Sequence, residues 1–176
     1  FITPVYWANI VFVNNTISPA PNGVIYFDGT DVKVKTGSST VNLTNVGGGN
    51  FTCLPDGSKC YVGLRKDNSV GVIDMASLEL IKTIKTGKNG NRLYLNPANP
   101  RYGLFANESN KSETVSIIDT QKDIKITDIE TGLGPHNVAF NPEGTRAIVS
   151  TKGEDVATLI DTSSANPAQW DVITTD

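Results

Sequence analysis

An aspartate closes an apolar run at Asp28 (Val24-Ile25-Tyr26-Phe27), Asp74 (Val72-Ile73), Asp119 (Ile117-Ile118) and Asp161 (Leu159-Ile160), at steps of 46, 45 and 42 residues. Pro55, Pro97 and Pro142 keep the same beat, and Gly87 and Gly132 close the matched segments Ile84-Lys85-Thr86 and Ile129-Glu130-Thr131. Three markers in one order at one period mean a chain built of repeats, so the period is read before any single motif.

Each repeat reads as strands. In the last unit, 136–140, 146–151, 156–161 and 171–174 are short runs rich in Val, Ile and Thr, and Asn141-Pro142-Glu143-Gly144-Thr145 is a turn between the first two. Short β-branched runs separated by Gly, Pro, Asn and Asp favour strand over helix. Four antiparallel strands in a unit of this length make a β-propeller blade. The expected fold is therefore all-β, a propeller of four-stranded antiparallel blades. About four blades are expected, at 1–46 (degenerate, its first strand mostly missing), 47–87, 88–132 and 133–176.

The segment Pro55-Asp56-Gly57-Ser58-Lys59-Cys60-Tyr61-Val62, with Val72-Ile73-Asp74 and Ile81-Lys82-Thr83-Ile84-Lys85-Thr86-Gly87 behind it, resembles the YVTN-type propeller repeat. So does Gly134-Pro135-His136-Asn137-Val138-Ala139-Phe140-Asn141-Pro142-Glu143-Gly144. The resemblance covers residues 47–176 and a degenerate unit before them. It implies a fold and leaves function open, because such repeats serve surface-layer and secreted proteins, lactonase-like enzymes and redox-enzyme propellers.

Phe1-Ile2-Thr3-Pro4 aligns with Phe140-Asn141-Pro142, which makes Phe1 the last residue of an innermost strand. The expectation is a piece of a larger ring, or a ring that a partner completes by adding a strand. The alternative is a closed ring of four blades.

Net charge is −3, which argues against a nucleic-acid binder with a basic face. Hydrophobic residues make up 38% and charged residues 19%, the balance of a folded β-domain. No apolar run approaches the roughly 18 residues of a membrane helix.

Cys53 and Cys60 bracket Asp56-Gly57, a hairpin signal that sets the two cysteines opposite each other. A directly opposed, hydrogen-bonded pair has a Cα spacing of about 5.5 Å, which a disulfide accepts. Pro55 weakens that register because it lacks an N–H. The readings are a disulfide formed in an oxidising compartment, or two buried thiols. Sequons begin at Asn14, Asn42, Asn50, Asn107 and Asn110. Asn107 and Asn110, in a polar run read as a loop, are the best glycan candidates. Asn50 is the poorest, at the start of an innermost strand.

His136, the only histidine, aligns with Asn91, and Arg92 shares the next frame position with Asn137. These four are the candidate ligand-binding residues, near one mouth of the channel, where the resemblance places ligands. One structural hydrogen bond at the strand start is the competing role for His136. Asp28, Asp74, Asp119 and Asp161 recur once per blade, too far apart for a catalytic pair, and read as turn caps. Gly47-Gly48-Gly49-Asn50 lacks the Lys-Ser/Thr and the helix of a phosphate loop. No catalytic residue, metal site or cofactor is expected. Trp170 is read either as an edge contact or as buried between blades, and so are Tyr6 and Trp7.

The functional expectation is a non-catalytic extracellular or cell-surface propeller, an interaction or structural module. Its partner would be a protein, further blades of the same protein, or a glycan. The alternative is a fragment of a lactonase-like hydrolase or redox-enzyme propeller whose site is completed by blades elsewhere.

Overall fold

The computed structural model describes residues 11–13, 16–18, 24–28, 31–36, 39–43, 48–77, 79–109 and 111–175, with side chains from Asn50 onward. Among the described residues seventeen strands form four antiparallel sheets, each in chain order. Among the described residues no helix is long and apolar enough to cross a membrane.

The N-terminal sheet holds β1 (Val11–Val13), β2 (Thr16–Ser18), β3 (Val24–Asp28), β4 (Asp31–Thr36) and β5 (Ser39–Leu43). It has five strands where a degenerate four-stranded unit was expected. The extra hairpin follows from sequence. Val32 and Val34 alternate with Lys33 and Lys35 between two turn signals, so β4 pairs back on β3 at Asp28↔Asp31 and on β5 at Thr36↔Ser39. The segment expected to carry a truncated first strand, with Tyr6 and Trp7, lies outside the described residues.

Three four-stranded sheets follow. The first is β6 (Gly48–Cys53), β7 (Lys59–Leu64), β8 (Ser69–Asp74) and β9 (Glu79–Lys85). The second is β10 (Gly90–Leu95), β11 (Tyr102–Asn107), β12 (Thr114–Asp119) and β13 (Ile124–Glu130). The third is β14 (Pro135–Phe140), β15 (Arg146–Thr151), β16 (Ala157–Asp161) and β17 (Asp171–Thr175). Register repeats with the sequence: Lys59↔Asp74, Tyr102↔Asp119 and Arg146↔Asp161 pair at the same rung.

The sheets stack face to face through β10 against β6 and β7, and β11 against β14. Between the first and second sheets lie Tyr61, Val70, Val72, Ile84, Leu93, Phe105 and Ile118. Between the second and third, Leu104, Val115, Ile117 and Ile129 meet Val138, Ala147, Val149, Ile160 and Trp170. Trp170 is buried, with Tyr102 and Phe140 edge-on to it at ring distances of 6.1 and 6.4 Å.

Gly87 and Gly132 recur because the neighbouring sheet fills the space beside them. A Cβ on Gly87 would sit 2.6 Å from the Asn107 side chain, and one on Gly132 would sit 2.8 Å from that of Thr151, the residue equivalent to Asn107.

Cys53 and Cys60 are disulfide-bonded across β6 and β7, in the expected register. Their Cα atoms are 3.9 Å apart, closer than expected. The Leu54 N–H bonds the Lys59 carbonyl, so the cysteines occupy the adjacent, non-hydrogen-bonded rung, where strands come closer. Pro55 costs no ladder bond. It follows Leu54 in a turn closed by the Gly57 N–H on the Leu54 carbonyl, with Gly57 at φ 72°, and Pro is favoured at that position. The double replacement Cys53→Ala/Cys60→Ala is expected to lower stability by about 2 kcal/mol, the value for so short a loop. Urea unfolding measures it, and an unchanged midpoint would refute it.

Candidate functional site

The first strands of the three four-stranded sheets, β6, β10 and β14, share an irregularity. Register shifts between Gly48 and Phe51, Gly90 and Leu93, and Pro135 and Asn137. Such bulges re-aim side chains, and here they fall at Asn91 and His136.

The four sequence candidates divide. Asn91 is buried, and its Oδ1 accepts from the Asn50 side chain at 3.0 Å and the Asn50 N–H at 3.3 Å, tying the second sheet to the first. Arg92 is exposed, its guanidinium 5.3 Å from the centre of the Tyr94 ring. Asn137 is exposed, and its Oδ1 accepts from the Tyr94 hydroxyl at 3.0 Å. Only His136 turns into a charged cluster.

That cluster centres on Glu108, which the sequence reading missed. Glu108 is 7% exposed. Its Oε2 lies 2.8 Å from Arg65 Nη2, and its Oε1 meets the Lys152 ammonium and lies 3.1 Å from His136 Nδ1. The His136 contact falls outside hydrogen-bond geometry, and Arg65 Nε is buried with no acceptor among the described residues. Arg65, Glu108 and Lys152 each follow the second strand of a sheet, 43 and 44 residues apart. Superposing the repeats would have found them, as one frame position that reads Arg, Glu, Lys.

The repeated aspartates bind backbone. Asp74 Oδ1 accepts from the Ala76 and Ser77 N–H groups, Asp119 Oδ1 from Gln121 and Lys122, and Asp161 Oδ1 from Ser163. The Asp28 side chain is outside the described residues. Asp119 also receives a two-point contact from Arg101, with Nη2 at 2.8 Å. Burial pushes its carboxyl up, but Arg101 and the two amides more than offset this and hold it below the usual range. The Ser77 amide does the same for Asp74, and the Ser163 hydroxyl and amide for Asp161. A depressed carboxylate stabilises the fold above its unfolded pKa, and this is lost as pH falls through the folded one. Asp119→Asn is therefore expected to flatten the loss of stability below about pH 4 in acid unfolding. An acid limb identical to wild type would contradict this.

At the opposite end of the strands, Asp123 clamps the first sheet to the second. It takes the Tyr61 hydroxyl at 2.6 Å on Oδ1 and Lys59 Nζ at 2.7 Å on Oδ2. Burial first, then Asp123, pushes the Tyr61 phenol far above its ordinary value. A raised folded pKa gives stability that is full below the unfolded value of about 10 and lost as pH rises above it. Tyr61→Phe is expected to flatten the alkaline limb of the stability profile, and an unaltered limb would contradict this.

Asn107 is not in a loop. It ends β11, is 0% exposed, and its Nδ2 donates to Thr114 Oγ1 and Ser116 Oγ. The amide that would carry a glycan is thus spent inside the fold, which removes one of the two best candidates. Asn50 Nδ2 is spent on Asn91. Asn42 lies within β5, while Asn14 and Asn110 fall outside the described residues. Among the described residues no three His, Cys, Asp or Glu side chains group as metal ligands.

No family model matches the sequence, and a search of curated proteins finds no match. Solved structures do resemble the fold. Hydrazine synthase of Kuenenia stuttgartiensis aligns with a TM-score of 0.72 at 22% identity, over 88% of this chain and 45% of that one. A functionally unknown protein from Desulfotomaculum acetoxidans DSM 771 gives 0.70 at 12% identity, over 88% and 52%. A chain of the mitotic checkpoint complex gives 0.65 at 16%, over 88% and 46%. The chain spans about half the length of these structures. At such identities the likeness shows the fold alone, a β-propeller module.

Proposed function

We propose that this chain is a YVTN-type β-propeller module of the cell exterior that acts by binding rather than by catalysis. The observation that carries the reading is one frame position. Tyr61, Leu104 and Ile148 are equivalent, opposite Val72, Ile117 and Leu159. Tyr61 and Leu104 are 1% and 0% exposed under the next sheet, whereas Ile148 is 48% exposed. The third sheet thus offers the apolar face that the first two cover. A further four-stranded sheet fits it, presenting inward residues like Val138, Ala147, Val149 and Ile160. Such a sheet comes from more of the same polypeptide or from a partner protein. The disulfide agrees with an oxidising compartment.

Intact mass of the protein from its own source, with and without reduction, tests the reading. The expected result is a polypeptide longer than this chain, or a second chain in stoichiometric amount, and a gain of two hydrogens on reduction. A lone polypeptide of 18.8 kDa with free thiols would refute it. The second reading, part of a hydrolase or redox propeller, draws on the likeness to hydrazine synthase and so on fold alone. A stoichiometric metal in the source protein, or lactone opening by it, would favour that reading.

A further inference from the structure

The Glu108 cluster carries an inference independent of the open sheet face. One buried carboxylate is engaged at both oxygens by two cationic side chains, Arg65 and Lys152, with an imidazole beside them. A carboxylate is only a few ångströms wide, so its two cations are close neighbours, and together they exceed its charge by one. Charge neutralisation of Glu108 alone needs one of them. The donors that remain are all N–H. Arg65 presents a fork of five and uses Nη2 on Glu108. Its Nε is buried and without an acceptor among the described residues. A buried donor left unpaired is costly, and a bound acceptor removes the cost. Lys152 is 47% exposed at its side chain, so the cluster opens to solvent on that side.

We propose that Arg65 and Lys152, held around Glu108 and flanked by His136, form a binding site for a small oxyanion at one end of the stacked sheets. An arginine fork matches two oxygens of one anion, and a lysine adds a point charge. Glu108 fixes the positions of both cations, and it limits affinity because its charge opposes the ligand's. The site joins residues from all three four-stranded sheets, so it forms only when they are stacked.

Inorganic phosphate at constant ionic strength is the probe, and the Arg65 Nε–Hε resonance of the full chain is the readout. The expected result is a saturable shift. Lys152→Gln should weaken binding about tenfold, the effect of losing one charge-assisted hydrogen bond. Glu108→Gln should tighten it several-fold, the reverse of what damage to a purely structural cluster would do. Lys122→Gln, exposed in the turn between β12 and β13 at the other end of the sheets, should leave it unchanged. A shift that stays linear in phosphate overturns the proposal, as does an affinity unchanged in both Lys152→Gln and Glu108→Gln. If either variant is unfolded, the wild-type titration alone decides. A phosphate monoester that binds as tightly as the free ion would place the group on a larger molecule. Weaker binding by the ester would make the free ion the ligand, and either result requires the site.

Discussion

Leu104→Ala is expected to lower the unfolding free energy by about 3 kcal/mol. Ile148→Ala, at the same frame position one repeat on, is expected to cost less than about 0.5 kcal/mol. Leu104 is 0% exposed, within a cluster that includes Val138, Val149 and Trp170, so truncation loses transfer free energy and leaves a cavity. Ile148 is 48% exposed and loses little of either. Urea unfolding of the two variants measures the difference. Equal losses would mean that the third sheet is already covered on that face.

Gly63→Ala is expected to cost about 2–3 kcal/mol through overpacking. Alignment of the repeats makes it look harmless, because Ala106 occupies the same position in the second sheet. The geometry differs: a Cβ on Gly63 would stand 2.5 Å from the Asn91 carbonyl oxygen and 2.7 Å from that of Gly90. Both are backbone atoms of β10, so no rotamer change relieves the contact. Relief requires β10 to move off β7, which pulls on the Asn50–Asn91 hydrogen bonds and on the packing of Tyr61 against Leu93. A variant as stable as wild type would show that β10 yields easily and that the first two sheets are loosely joined.

Much of the architecture was legible because its causes are local. Asp74, Asp119 and Asp161 end strands by accepting from amides two or three residues on, so the same residue recurs wherever that turn does. The register of Cys53 with Cys60 followed from Asp56-Gly57. What stayed hidden depends on neighbours distant in sequence. Glu108 gathers Arg65, His136 and Lys152 from three sheets, and in its own segment it is one charge in a polar run. Asn107 read as loop because Asn, Glu and Ser follow it, yet its side chain fills the space beside Gly87 on the preceding sheet. The five-stranded N-terminal sheet was missed by giving that region the period of the others, when its own turn signals called for another hairpin.

A further sheet is proposed to cover the face holding Ile148 and Leu159. Hydroxyl-radical footprinting tests it most directly, by comparing labelling at Ile148 in the protein as isolated from its source with labelling in the 176-residue chain alone. The account predicts ready labelling in the isolated chain and strong protection in the source protein, with Leu104 protected in both. Equal labelling of Ile148 in the two forms would contradict it.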